Sequence, residues 1–249
     1  MSSVTNEEQH VWATNILLSS IPLWKYENGI PTANASGCLV DYCGGRFILS
    51  VAHATIAKSE WIFEVKTMEE FEGVMQSILQ PIKMNSLSQF KMLNKKGGFT
   101  KPKIAEFTYK MLPEDFSSTH VIFDAGNLRS THRTVFAPTF EKKPSKNMRY
   151  GFYGQTRFRG VVGNSIICKP RLEKNLKYVG KQGDYFKFEL PHKYGSHENY
   201  LGCSGAPIID EENNVVALVT FGEKSSNCIF GIDISRYRAA LEIETKNII

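Results

Sequence analysis

Short apolar or alternating segments, separated by Gly, Asn and Pro, recur along this chain in a pattern typical of β-strands joined by turns. They are residues 37–42, 46–51, 104–112, 150–153, 161–168, 185–190, 206–209 and 215–221. Many short strands with turn residues between them predict an all-β barrel or sandwich.

Two segments follow the period of a helix instead. Thr67 and Glu70 have the spacing of a capping box, Pro81 marks a stop, and the apolar residues between them lie three and four positions apart. These apolar residues are Phe71, Val74, Met75, Ile78 and Leu79. The pattern predicts a helix over 67–79 and, near the end of the chain, a short closing helix over 235–244.

Composition narrows the class of protein. The chain has 249 residues, of which 42% are hydrophobic and 12% aromatic, enough to bury a sizeable core. It has no run of 18 apolar residues, so a transmembrane helix is not predicted. The first ten residues carry two glutamates and no basic cluster, which argues against a signal peptide and predicts a cytoplasmic protein.

The five cysteines are an odd number and are too sparse for a disulfide scaffold, so reduced thiols are expected. Cys38 and Cys43 could form half of a zinc site, but no second Cys or His pair completes it. A metal site is therefore not predicted, and the sequence implies no cofactor.

Basic residues are concentrated in one stretch. Between Lys142 and Lys187, twelve Lys and Arg face only Glu173 and Asp184, a balance of +10 in a chain whose total is +5. Such a stretch could attract an acidic protein, a membrane surface or nucleic acid. No nucleic-acid-binding motif accompanies the charge. We expect mostly solvated side chains there, with neither nucleic acid nor a membrane as partner.

Residues 200–210 hold the most informative motif. Gly202 and Gly205 flank Cys203 and Ser204, so the backbone can turn sharply and present amide N–H groups, which an acyl-transfer oxyanion needs. Ser204 is the candidate nucleophile. The same tetrapeptide is also compatible with an ordinary turn before a strand, so the motif needs a partner.

The candidate partner is His53, which follows the apolar strand 46–51 and lies between two alanines. A histidine in this place is more often structural when considered alone. A serine hydroxyl, however, is a poor nucleophile unless a neutral imidazole takes its proton. Together, His53 and Ser204 therefore indicate nucleophilic catalysis.

Chain order discriminates between hydrolase architectures. An α/β-hydrolase needs G-x-S-x-G followed by a histidine, whereas Ala206 replaces the final glycine and no histidine follows Ser204. A papain-like protein would use Cys38 or Cys43, but Cys43 lacks the expected surroundings. The remaining order is histidine, acid and serine on an all-β scaffold.

The sequence resembles the chymotrypsin (trypsin-like) serine peptidase family, in its intracellular prokaryotic or viral style. Residues 37–42 and 46–53 resemble the family's hairpin into T-A-A-H, residues 202–207 (G-C-S-G-A-P) resemble G-D-S-G-G-P, and residues 214–222 resemble the strand that lines the substrate cleft. The resemblance spans roughly 21–241 and weakens between 59 and 103.

The family's fold implies two Greek-key β-barrels with the active site between them. The polar segment 130–146 is the predicted linker. Residues 1–129 would then form the N-terminal barrel with His53 and Glu106, and residues 130–249 the C-terminal barrel with Ser204 and the closing helix. The helix over 67–79 would be an insertion after the histidine strand.

The acid is the part of the resemblance for which the sequence offers alternatives. Glu106, in E-F-T-Y-K-M-L-P, aligns with the family's D-F-A-x-x-x-L-P strand and has glutamate in place of aspartate. A competing register places Lys103 there, and Asp115 and Asp124 remain possible substitutes. Two further departures, Cys203 for the family's aspartate and the absence of I-V-G-G, imply an enzyme that is made ready-folded.

The resemblance implies acyl-enzyme peptide hydrolysis of a protein or peptide substrate. Ser204 would attack, His53 would carry the proton, Glu106 would orient the imidazole, and the amides of Gly202 and Ser204 would bind the oxyanion. Residues assigned to substrate binding are Glu198, Thr220, Phe221 and Gly222. Glu198 would favour Lys or Arg before the cut if it lies at the base of a pocket, but it could equally lie on a polar surface loop.

Two further possibilities stay open. A partner protein could be needed to switch the activity on. The rival function is a catalytically silent trypsin-like module that binds peptides or scaffolds an assembly, which the unusual acid makes attractive.

Overall fold

The computed structural model describes residues 6–55, 60–71, 74–82, 85–86, 92–93, 99–100, 117–120, 133–162 and 165–246. Most of these residues lie in strands, as the alternating segments predict. The described α-helices are α1 (Asn6–Ser19), α2 (Ala52–Thr55) and α3 (Arg238–Lys246), and two 3-10 helices lie at His197–Asn199 and Ile234–Tyr237.

The first half of the chain builds a twisted sheet in the order β5-β4-β1-β2-β3-β9-β6, with β10 paired to β2. Its strands are β1 (Ile21–Glu27), β2 (Ile30–Tyr42), β3 (Gly45–Ser50), β4 (Glu60–Phe71), β5 (Val74–Ile82), β6 (Asn85–Ser86), β9 (Ser117–His120) and β10 (Val135–Phe136). Two short strands, β7 (Met92–Leu93) and β8 (Phe99–Thr100), pair with each other.

Tight turns set the register of this sheet. Cys43 and Gly44 both have positive φ, +46° and +81°, which is the conformation of a two-residue hairpin between β2 and β3. The hairpin holds β3 antiparallel to β2 and sends the chain directly from Ser50 into α2, which carries His53.

The second half closes into a six-stranded barrel in the order β11-β12-β13-β16-β15-β14. Its strands are β11 (Arg149–Val162), β12 (Ser165–Gln182), β13 (Tyr185–Glu189), β14 (Pro207–Asp210), β15 (Val215–Glu223) and β16 (Cys228–Asp233). The closing helix is confirmed, since the 3-10 turn Ile234–Tyr237 runs directly into α3.

The predicted helix over 67–79 is wrong. The described residues of this range, 67–71 and 74–79, belong to the antiparallel strands β4 and β5, in a register that pairs Glu64 with Leu79. Strand β4 also pairs with β1, where Phe63 lies opposite Leu23. Backbone pairing to an existing sheet has overridden a local helical spacing, so the described part of the insertion after the histidine strand is a pair of antiparallel strands.

The two halves share a buried core. One cluster of buried side chains joins Phe47 and Leu49 of the first sheet to Leu218 and Phe230 of the barrel. At its edge the buried Tyr237 hydroxyl donates to the carbonyl of Ser50 at 2.7 Å. This packing fixes the end of β3, and with it His53, against the barrel.

Helix α1 lies against the C-terminal barrel. Ile16 is fully buried, and the Trp12 indole N–H donates to the carbonyl of Asp210 at 3.1 Å. From the predicted linker, β10 pairs in parallel with Leu39 and Val40 of β2. The division at residue 129/130 stays a prediction, and the predicted strand 104–112 lies outside the described residues.

Candidate active site

His53 and Ser204, 151 positions apart in the chain, meet between the two halves. His53 Nε2 lies 3.1 Å from Ser204 Oγ, within hydrogen-bond distance. The imidazole is on the exposed side of α2, and Ser204 is half-buried in the turn that leads into β14. The structure therefore brings together the two residues that the sequence predicts as base and nucleophile.

The turn that carries Ser204 depends on its glycines. Gly202 and Gly205 have φ of +91° and +90°, a region that side chains with a Cβ rarely adopt. A Cβ at Gly205 would also collide with the Ser36 carbonyl and the Ser50 hydroxyl. The Cys203 amide donates to the Tyr200 carbonyl at 3.0 Å and closes the turn.

Ser36 of β2 fastens this turn to the first sheet. Its amide donates to the carbonyl of Ser204 at 2.9 Å, and its hydroxyl donates to the carbonyl of Gly202 at 2.8 Å. The Ser36 side chain is fully buried and also accepts from the Gln155 amide at 3.4 Å. One serine therefore positions both ends of the tripeptide that contains the candidate nucleophile.

The Ser204 hydroxyl has a second acceptor besides His53. It lies 3.2 Å from the carbonyl oxygen of Thr220 in β15 and can donate to it. Because the hydroxyl has one proton, it donates to either Thr220 or His53 at any moment. The predicted substrate-binding strand, from Thr220 to Gly222, is thus in direct contact with the candidate nucleophile.

The two amides assigned to the oxyanion are those of Gly202 and Ser204. Among the hydrogen bonds of the described residues, neither amide donates one, whereas the intervening Cys203 amide does. Unoccupied N–H groups beside a serine hydroxyl are what an oxyanion site requires. Their role stays a prediction.

The Cys203 thiol is not a candidate nucleophile. Its side chain is fully buried, and burial raises the pKa of the thiol to about 12. It packs so closely on Gly154 that a Cβ there would lie 2.8 Å from the Cys203 sulfur. A thiol at neutral pH with no access to solvent is a poor nucleophile, so Ser204 remains the candidate.

A buried polar network beneath the nucleophile turn was not foreseen from the sequence. The carboxylate of Glu173, 2% exposed, accepts from Arg171 Nε at 2.6 Å and the Tyr200 hydroxyl at 3.0 Å, and lies 2.7 Å from His192 Nε2. Burial and the nearby Glu173 charge raise the pKa of Tyr200. In the sequence Glu173 is only an acid in a basic stretch, and nothing local links it to Tyr200.

Glu198 does not lie at the base of a buried pocket. It is exposed on the 3-10 helix His197–Asn199, which contains no buried residue. Solvent screens an exposed carboxylate. Glu198 in this position therefore does not offer the buried charge-assisted contact to a substrate Lys or Arg that the pocket interpretation requires. The structure agrees with the alternative that the sequence leaves open, in which Glu198 lies on a polar surface loop.

The basic stretch is partly neutralised by acids from other elements. Lys142 pairs with Asp210 and Glu212, while Arg149 pairs with Glu211. Within the described ranges, no group of three or more His, Cys, Asp or Glu could hold a metal ion, and no helix is long and apolar enough to cross a membrane.

The candidate acids Glu106, Asp115 and Asp124, and the competing Lys103, lie outside the described residues. The third member of the triad therefore stays a prediction. Four cysteines, Cys38, Cys43, Cys203 and Cys228, are free thiols.

No family model matches this chain, and no curated protein matches its sequence. Solved structures match its fold. A serine endoprotease from Yersinia pestis aligns with a TM-score of 0.55 at 9% identity, over 99% of this chain and 68% of its own. Human heparin binding protein aligns with a TM-score of 0.54 at 11% identity, over 92% of each chain.

A third similar structure is the scabies mite inactivated protease paralogue S-I1, with a TM-score of 0.57 at 12% identity, over 94% of this chain and 96% of its own. At such identities the likeness concerns the fold alone. The all-β, chymotrypsin-like two-barrel fold expected from the sequence is confirmed.

Proposed function

We propose that this protein is a serine endopeptidase that hydrolyses peptide bonds in protein or peptide substrates through an acyl-enzyme. The observation that carries the proposal is the 3.1 Å approach of His53 Nε2 to Ser204 Oγ, on a glycine-dependent turn. A neutral imidazole at this distance can accept the hydroxyl proton as the oxygen attacks.

The reaction follows from the position of each group. Ser204 Oγ bonds to the carbonyl carbon while its proton moves to His53 Nε2, and the amides of Gly202 and Ser204 stabilise the oxyanion. The imidazolium then protonates the leaving amine, and the peptide bond breaks. A water molecule attacks the acyl-enzyme with His53 again as base, which releases the acid product and restores Ser204.

Glu106 completes the triad in this proposal. Its carboxylate would accept from His53 Nδ1–H, which keeps Nε2 unprotonated as the base and stabilises the imidazolium. The support for Glu106 is the sequence resemblance of residues 106–113, with Asp115 and Asp124 as the alternatives.

The rival function is a silent module that binds peptides without cutting them. Its support is the likeness to a scabies mite protein described as an inactivated protease paralogue, since the same fold there accompanies lost catalysis. A silent module, however, does not require a histidine and a serine at hydrogen-bond distance. The site geometry therefore favours the enzyme.

Labelling with a serine-reactive fluorophosphonate separates the two functions. We expect the wild type to be labelled at Ser204, and Ser204→Ala and His53→Ala each to lose labelling and peptide hydrolysis, because nucleophile and base act as one unit. Cys203→Ala is the matched control and should keep its label. An unlabelled but folded wild-type protein would support the silent module.

A further inference from the structure

Tyr194 is a buried residue that the proposed chemistry does not use. Its side chain is 3% exposed, and its hydroxyl has no hydrogen-bond partner among the described residues. Its ring stacks on that of Tyr200, with centroids 4.7 Å apart and planes at 26°. A buried phenol normally finds a hydrogen-bond partner, so this ring is held by the contacts of its volume rather than by its hydroxyl.

Asn227 holds the segment that carries Tyr194. Its side-chain amide donates to the carbonyls of Leu190 at 3.2 Å and His192 at 3.1 Å, and its side-chain oxygen accepts from the Tyr194 amide at 2.5 Å. Asn227 itself has a positive φ of +56°. Three hydrogen bonds to one side chain therefore fix the backbone of the segment that ends at Tyr194.

The ring lies directly against β15. A Cβ built on Gly222 would be 2.5 Å from both Cε2 and the hydroxyl oxygen of Tyr194. The phenol end of the ring therefore occupies the volume that a side chain at position 222 would need. Glycine is the residue that leaves room for it.

The same ring also borders the nucleophile turn. Tyr200, its stacking partner, accepts the hydrogen bond from the Cys203 amide that closes this turn. Strand β15 contacts Ser204 through the carbonyl of Thr220. Tyr194 thus lies between the two chain segments that flank the candidate nucleophile.

The resemblance of residues 214–222 to a cleft-lining strand, together with the contact of Ser204 with Thr220, places the substrate residue that Ser204 attacks beside these two segments. On the basis of the proposed endopeptidase function, we propose that Tyr194 fills the space between Gly222 and Tyr200 and restricts the residue before the scissile bond to glycine, alanine or serine. The ring excludes long aliphatic, aromatic and basic side chains by its volume.

Cleavage of a peptide series tests this assignment. The series varies the residue before the cut among Gly, Ala, Ser, Leu, Phe and Arg in one sequence. In the wild type we expect kcat/KM for Ala to exceed that for Leu and Phe at least tenfold. Tyr194→Ala should reduce the Ala-to-Leu ratio at least tenfold, and Tyr194→Phe, which keeps the ring, should preserve it.

Tyr178→Ala is the matched control. Tyr178 packs on the same buried cluster, with its ring 5.7 Å from that of Phe186, and its removal should leave the ratio unchanged. Tyr194→Val serves if the alanine variant does not fold. A wild-type preference for large or basic residues, an unchanged ratio in folded Tyr194→Ala or Tyr194→Val, or an equal shift in Tyr178→Ala would each overturn the assignment.

Fluorophosphonate labelling of every variant separates this inference from the proposed function. The reagent needs Ser204 and His53 but no side chain before a scissile bond. A labelled wild type with the wrong profile overturns only the role of Tyr194. A wild type that is folded and unlabelled overturns the endopeptidase itself and the specificity inference with it.

Discussion

Cys203 and Ser204 are neighbours in the chain, and the fold gives them opposite surroundings. The Cys203 thiol is fully buried with a raised pKa, whereas the Ser204 hydroxyl is reached by both His53 and the Thr220 carbonyl. The turn has positive φ at Gly202 and Gly205, and within it the Cys203 side chain is buried while the Ser204 side chain is partly exposed. The identity of the candidate nucleophile therefore follows from backbone geometry rather than from the intrinsic reactivity of sulfur over oxygen.

The orienting carboxylate is a residue-scale question that mutation can answer. Glu106→Gln should preserve the fold and lower kcat by about 10⁴-fold, because an amide holds the imidazole in the wrong tautomer. Steady-state hydrolysis of a peptide substrate measures the effect. Asp115→Asn and Asp124→Asn are the controls, and a near-normal Glu106→Gln alongside an inactive aspartate variant would transfer the role to that aspartate.

At the scale of elements, the site depends on strand β2 holding the nucleophile turn. Ser36→Ala removes the donor to the Gly202 carbonyl and should lower the free energy of unfolding by about 1–3 kcal/mol. It should also slow fluorophosphonate labelling, because the turn loses its fixed position. Urea unfolding and labelling rates measure the two effects.

Ser19→Ala is the control for Ser36→Ala. Ser19 is likewise fully buried, and its hydroxyl donates to the Ile16 carbonyl at 2.7 Å within α1. It should lose similar stability at an unchanged labelling rate. Equal labelling rates in wild type and Ser36→Ala would show that the turn does not need this hydrogen bond.

Helix α1 offers a second element-scale prediction. Trp12 is 6% exposed, and its indole N–H donates to the Asp210 carbonyl. The Cζ atom of Arg149 lies over the indole, 5.4 Å from the centroid of the Trp12 ring. Trp12→Ala should lower the free energy of unfolding by about 3–5 kcal/mol, because it leaves a cavity between α1 and the barrel. The exposed Val11→Ala is the control, and an equal effect of both would contradict docking of this helix.

Local signals explain which elements the sequence predicts. The turn at Ser204 and the strand before His53 are visible because glycines and alternating apolar residues lie within a few positions of them. Strand β4 is not visible in this way, because the apolar residues of β4 and β5 have a helical spacing and the β1 strand that β4 pairs with lies about forty residues earlier. The Glu173 network and the Tyr194 contact also join distant segments, and so could not be predicted from the sequence.

At the scale of the whole molecule, several ionisable side chains are buried in their neutral forms. Burial raises the pKa of Cys38, Cys203, Tyr150, Tyr194 and Tyr200. In the folded state each group keeps its proton to a higher pH than in the unfolded chain. The folded protein therefore binds more protons than the unfolded chain at alkaline pH, and stability must fall as the pH rises.

Cys203 shows over which pH range the free energy of unfolding should fall. Its thiol titrates at about 9 in the unfolded chain and about 12 in the folded protein, so its contribution is complete below pH 9 and is lost as pH approaches 12. Urea unfolding at pH 8, 10 and 11 should show a declining free energy of unfolding, with a shallower decline in Cys203→Ala. A free energy that stays constant or rises over this range would mean that these side chains are not buried as the fold requires.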